Sequence, residues 1–434
     1  MVPLNPLDWF RSRGQVARCR HALSSKSSME EAAREVIGGL GFGESDLALV
    51  FVSSHFASDL TRLLPLLQRR LKAKHWVGCL GGGVVGTTSA GQAHELERSA
   101  ALSVSLLNLP GAELTSFRLD STELPDLDGA AKDWQDWVGV EPSRSRSLLL
   151  LMDPSCNNIN DLVSGLDYAY PGLAKVGGIA VPHNAAHGSL LLGDQVVSGA
   201  VGLSIGGSWR LDPVVAQGCR PIGPVFAIEQ AQRNVLLELS DGDRRASPVA
   251  CLQRVLADLS DADRELVQHS LFLGVERQEL NAGAALAGLH SRERSSKQPE
   301  RAFLVRNLIG VDPRNGAVAV ADRVRAGQNV QFQLREAQAS RQEARQLLAD
   351  SRDRDPASAP FMGMLFACLG RGSGLFGGPD GDISIARDVF PDLPVTGSFC
   401  NGELGPLGGA THLHGYTACW GLLRRDPLES DSQS

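Results

Sequence analysis

The chain has 434 residues, 43% hydrophobic and 21% charged, enough apolar material for two or three buried cores. A net charge of −7 argues against nucleic acid as a partner, because such binding needs a basic face. Forty-seven glycines with only 5% aromatics fit an α/β protein with many tight loops better than an all-β sandwich.

The start, MVPLNPLDWFRSRGQ, has no basic stretch followed by an apolar core, so no signal peptide is expected. A first apolar run, LALVFVSSHF from Leu47, reads as a strand buried on both faces. Residues 59–74 follow, with Leu60, Leu63, Leu64, Leu67 and Leu71 at helical spacing. A second run, HWVGCLGGG from His75, completes a strand–helix–strand unit, and ALSVSLLNL from Ala101 is a further strand candidate. The same grammar returns at SLLLLMDPSC from Ser147, with a helix over 161–170, then AKVGGIAVP and AVGLSIGG.

Between these units and the next, residues 224–239 and 248–270 read as helices. Pro248 suits a helix start, and Leu252, Val255, Leu256 and Leu259 form one stripe. HSRERSSKQPER, from His290, reads as an exposed charged insertion. Asn315-Gly316 marks a turn between two strands, NVQFQLRE alternates as another strand, and 336–350 is a charged helix.

The grammar appears a third time at FMGMLFACLGRG from Phe361, with a short helix over 382–390, then LPVTGSFCNGELGP and YTACWGLL. First-to-second strand spacings agree: Val50 to Val77, Leu150 to Val176, Phe366 to Val395. The ending RRDPLESDSQS is a disordered tail by composition. No run approaches the roughly 18 apolar residues that cross a bilayer. The eight cysteines are scattered without CxxC pairs, as expected of reduced thiols in a cytoplasmic protein. The expected fold is α/β, with repeated βαβ-type units and mixed sheets.

LALVFVSSHF, HWVGCLGGGVVG and ELERSAALSVSLL in the first half resemble the FIST family. AQGCRPIGPVF, the stretch from FLVRNLIGVDPRNG to QFQLRE, and LPVTGSFCNGELGPLGGATHLHGYTACWGLL carry the resemblance through the second half. It implies a FIST N-terminal-like domain over 21–215 and a C-terminal-like domain over 216–425, with an extension at 1–20 and a tail at 426–434. It also implies intracellular sensing of small ligands, amino acids among them. Some relatives carry an F-box, for which residues 1–20 are too few. Any output then depends on a separate signalling or adaptor protein.

In parallel α/β sheets, ligands sit outside the carboxyl ends of the strands. There the chain is glycine-rich: Gly81, Gly82 and Gly83, then Gly177 and Gly178, then Gly397 and Gly402. Such loops let a ligand approach the backbone, or merely turn tightly. Glu403 stands in a Gly/Pro-framed turn, suited to a ligand ammonium or to local backbone N–H groups. Arg371, between Gly370 and Gly372, is expected on the same edge, where its fork suits a ligand carboxylate. His55 follows the first strand of the first unit, and Asp153 that of the second, so both are candidates to line the same edge as Arg371, with helix N-capping the alternative for Asp153.

Cys400 beside Asn401, with His412 and His414 nearby, raises a thiol nucleophile, against the alternative of a packed cysteine. The two histidines share a strand face, but no third metal ligand is evident, so neither metal nor cofactor is expected. Arg220, Arg306 and Arg335 read as ion-pair partners joining the two halves. The sequence therefore points first to a small-ligand sensor. A protein-interaction scaffold or substrate-recruiting adaptor, and a thiol enzyme using Cys400, are the alternatives.

Overall fold

The structure, a computed structural model, describes residues 16–242, 244–277 and 302–426. The expected insertion from His290, residues 427–434 of the tail and most of the N-terminal extension lie outside the described residues.

The three predicted units form. Glu44–Ser53 and Lys72–Gly81 pair in parallel around helix Leu60–Gln68. Ser147–Met152 and Ala174–Ile179 do so around helix Ile159–Ala169, and Met362–Cys368 and Val395–Cys400 around helix Gly381–Val389. A further strand runs antiparallel beside the first of each pair: Leu102–Asn108, Ala200–Gly207 and Ala418–Arg425. A leading strand flanks each of these in turn: Arg18–Ser24, Ala112–Leu119 and Trp209–Ala216. Three separate six-stranded mixed sheets of one topology result.

Two details explain how the sheets fit together. In every unit the second strand passes the first most closely at a glycine: Gly78, Gly177 and Gly397. A Cβ at these positions would stand 1.8, 1.7 and 1.9 Å from the carbonyl oxygens of Val50, Leu150 and Leu365. Beyond that strand each unit sends out a β-hairpin that joins a different unit's sheet. Gly83–Thr87 and Ala93–Glu97, from the first unit, extend the third sheet. Leu190–Leu192 and Gln195–Val197, from the second, extend the first sheet. Glu403–Leu407 and Ala410–His414, from the third, extend the second sheet. The exchange is cyclic and gives the three units approximate threefold equivalence.

The inner faces of all three sheets share one core, which includes Leu49, Phe51, Cys79, Leu149, Val176, Met364, Phe366 and Cys400. Helices cover the outer faces, each over its own apolar cluster. Local signals set the helix ends. Helix Met29–Leu40 starts where the Ser28 hydroxyl accepts from Glu31 N–H, and it stops at Gly41, whose φ is 64°.

Between Trp209–Ala216 and helix Ala337–Arg354 the third unit carries an insert. Its strands Cys219–Gln232, Asn329–Arg335, Leu271–Arg277, Ala302–Asp312, Ala317–Val320 and Val235–Asp241 pair antiparallel in that order. Val235–Asp241 then pairs back onto Cys219–Gln232, closing a barrel. Phe226, Phe332, Leu273 and Val330 pack in its core with Cys251 and Val255 of helix Pro248–Ala257.

Two expectations need correction here. Residues 224–239 are not a helix but two barrel strands turning at Arg233 and Asn234, with Arg233 at φ 57°. Their apolar residues recur at intervals that fit either period, and barrel closure selects the extended form. Residues 248–270 are two helices, because Ser260 caps a new one, Asp261–Ser270, through Asp263 N–H.

The close passage at glycine predicts a large cost for one methyl group. Gly397→Ala should destabilise by about 3 kcal/mol or more, since backbone must move to admit it. Urea unfolding measures this, and a midpoint equal to wild type would refute the packing argument.

Candidate functional site

The carboxyl ends of the parallel strands do converge, as the glycine loops predict. Gly82 N–H donates to Phe399 C=O (3.0 Å), Val181 N–H to Leu80 C=O (3.3 Å) and Asn401 N–H to Ile179 C=O (2.8 Å). The centre they enclose is filled by the shared apolar core, not by a recess. Gly81, Gly82 and Gly83 serve chain crossing there. Added Cβ atoms would meet Ser398 Oγ at 1.8 Å, Leu369 Cδ2 at 2.2 Å and Leu96 C=O at 2.8 Å. His55 stays exposed on the turn Ser54–Asp59, and Asn401 is exposed at the rim. Asp153 accepts from Ser155 and Ser189 N–H, a structural role.

Glu403 is different. It pairs opposite Gly178, the residue after the close-passage glycine of the second unit. The equivalent places opposite Cys79 and Ser398 hold Leu190 and Val84. A carboxyl thus occupies a slot that is aliphatic in the other two units, and it is fully buried. Thr417 N–H donates to Oε2 at 3.3 Å, while Oε1 has no partner. Burial drives its pKa well above the ordinary 4.5, against the pull of Thr417 N–H, Arg371 and Arg335.

Arg371 lies on the same edge, but it is already engaged. It forks onto Asp382 at 2.6 and 2.9 Å, both side chains buried. Its Nη1 is turned towards Gly218, where the chain enters the barrel. Gly218 N–H donates to Glu343, whose carboxyl burial pushes upward. Arg371 is thus paired with Asp382 beside the point where the chain enters the insert.

Arg335, read from sequence as a link between halves, is the guanidinium left available. It ends the barrel strand Asn329–Arg335, on the outer face it shares with Gln333, Phe272 and Asn307. Its contacts are Cys368 Sγ at 3.7 Å and the Tyr416 ring at 4.9 Å, and no ion pair holds it among the described residues. Tyr416 also packs on Phe272 at 4.6 Å and accepts from Asn307. The Cys368 thiol is raised first by burial, then by Glu403, and lowered by Arg335, so both groups bear on the same thiol. Gly370 beside it is exposed, and a Cβ there would stand 3.4 Å from Arg335 Nη1.

The other two arginines do form ion pairs, but within the second half rather than between the halves. Arg220 bonds Glu336 and Asp263, while Arg306 bonds Asp322 and Leu413 C=O of the third unit's hairpin. Beside them stand His412 and His414. Burial lowers them to about 4 and about 3, helped by Arg277 and Arg306, so both are neutral.

Among the described residues, eleven buried side-chain polar atoms lack a partner. Six of these belong to Arg277, Arg335, Arg371, Glu403, His412 and His414, which places most of the unmet polarity at the seam between barrel and third unit. Cys400 does not take part as a nucleophile would. Its thiol is buried, raised well above the ordinary 9.0, and bonded only to Ser398 C=O at 3.6 Å. No helix of the described residues is long and apolar enough to cross a membrane.

Comparison with known proteins places this geometry in context. The family profile described as FIST N domain matches residues 46–242, and that described as FIST C domain matches 248–406. An uncharacterized protein of Mycobacterium tuberculosis is 32% identical over 401 residues, covering 90% of this chain and 94% of the relative. An uncharacterized protein of Mycobacterium bovis is 29% identical over 412 residues, covering 93% and 96%.

The ion pair and the histidines each predict a measurable outcome. Asp382→Ala leaves a buried guanidinium unpaired and should cost about 3–5 kcal/mol in urea unfolding. A loss under about 1 kcal/mol would show that the pair carries no structural weight. The unfolded histidines accept protons near 6.5, the folded ones only near 4 and 3. Stability should therefore fall as pH drops from about 6.5 towards 3. In His412→Gln/His414→Gln that slope should be shallower, and an unchanged slope would place the acid sensitivity elsewhere.

Proposed function

The chain belongs to the FIST family, whose domains are in general sensory domains of signal transduction, and from that premise we propose that it senses a small zwitterion of the amino-acid class. The carrying observation is a buried guanidinium without an ion-pair partner and a buried carboxyl without one, acting on the same thiol. The ligand carboxylate goes to Arg335, whose planar fork matches it. The ligand ammonium goes to Glu403. Tyr416 and Phe272 supply the apolar wall, and entry is past Gly370.

This reading departs from the pairing of Glu403 with Arg371, because Asp382 already takes the Nε and Nη2 of that guanidinium. Arg335 belongs to the barrel and Glu403 to the third unit. A ligand bridging them favours the closed arrangement of the two bodies, and a separate signalling or adaptor protein reads that population shift. Binding suits the geometry better than thiol catalysis. His414 Nε2 bonds Gly405 C=O at 3.0 Å, leaving Cys400 without a base in hydrogen-bond contact among the described residues.

Thermal-shift titration with the standard L-amino acids tests this. At least one should raise the melting temperature, by about 2.7 kcal/mol of stabilisation at a hundredfold excess over Kd and further with the logarithm of concentration. Arg335→Ala should abolish the shift, while Arg62→Ala, at an exposed surface pair, should keep it. A folded chain that no amino acid stabilises, or an Arg335→Ala shift equal to wild type, would remove the proposal.

A further inference from the structure

Resting on the zwitterion reading above, we propose that Glu403 keeps its proton in the free protein and releases it to solvent when a ligand ammonium arrives, so that capture is coupled to pH.

The argument begins with the slot. Val84 and Leu190 show that the two equivalent positions are filled by aliphatic groups of the shared core. A carboxyl placed there is acceptable when neutral, whereas an isolated carboxylate is not. Its surroundings, taken element by element, put no cation within ion-pair distance of it among the described residues, although Arg371 and Arg335 pull on it from farther off. From the barrel comes Arg335, which contacts Cys368 and the Tyr416 ring and does not bond the carboxyl among the described residues. From the loop after Met362–Cys368 comes Arg371, neutralised by Asp382, with Glu343 behind it. Cys368, Cys400 and Cys419 face it from the third sheet as un-ionised thiols, each raised first by burial. Across its own hairpin stands neutral His414. Thr417 N–H donates to Oε2, and Oε1, without a partner among the described residues, is free to carry the proton.

An arriving ammonium changes this balance. The carboxylic acid plus the ammonium becomes a carboxylate–ammonium pair, and one proton leaves for water past Gly370. Charge is conserved, and the ammonium gives the carboxylate a counter-ion in direct contact. Affinity should then rise about tenfold per pH unit for as long as free Glu403 and the free ligand amine both remain protonated. A ligand without an amine gains nothing from the exchange.

Two measurements test the coupling on the full chain. Infrared difference spectroscopy of wild type against Glu403→Gln at neutral pH should show a protonated carboxyl stretch that the variant lacks. Absence of that band overturns this inference and leaves the zwitterion site standing. Calorimetric titration with each standard L-amino acid, in phosphate and in Tris, should give apparent enthalpies differing by one proton's buffer ionisation. In Glu403→Gln the buffer dependence should vanish. Binding without buffer dependence in wild type overturns the release step. A chain that shows the band but binds no amino acid overturns the preceding reading, and this one with it.

Discussion

The cyclic exchange of hairpins is the constraint on which the rest of the fold depends. Each unit's second strand would be an open edge without a hairpin delivered from another unit, and open edges invite wrong pairing. Each hairpin is in turn apolar where it lands. Val84, Val85, Leu190, Leu191 and Leu404 are all buried in or under a sheet that their own unit does not build. At about 1.5–3 kcal/mol for each aliphatic side chain removed from water, no unit holds its hairpin in place alone. The three units must therefore fold as one body, and the barrel hangs from that body through the third.

Much of this body is legible in the amino-acid order, and the exchange is not. The apolar runs at Leu47, Ser147 and Phe361 are fully buried strands with helices returning between them, so local pattern is enough to find the units. Which sheet a hairpin joins depends on contacts some 300 residues away, such as Val84 with Ser398, and periodicity carries no such information. The stretch at 224–239 fails for a related reason. Its apolar spacing is ambiguous, and only closure of the barrel decides it.

The candidate site divides the same way. Glu403 stands out in sequence because a carboxylate in a Gly/Pro turn after an apolar strand is unusual. Arg335 does not, because the alternation of NVQFQLRE suggests one buried face and one wet face. The wet face is covered by the third unit, so Gln333 and Arg335 are buried as well. Arg371 looks available in sequence only because Asp382, eleven residues on, reads there as the start of a helix. Cys400 looks reactive beside Asn401 until the strand buries its sulfur against Gly178.

Approximate threefold equivalence gives these differences their meaning. Where three positions perform one structural task, they carry residues of one kind, as Gly78, Gly177 and Gly397 do. Where one of three departs, packing no longer explains the choice, because the other two show what packing accepts. Glu403 is such a departure: a polar group at a place where valine and leucine suffice. It stands where the barrel, which only the third unit carries, is seated. An inserted body and a buried carboxyl facing the same seam have a common explanation if the seam is where something small is held. The rigid units then provide the frame, and the chain entry at Gly218, bonded to Glu343 and beside Arg371, sets how the barrel meets it.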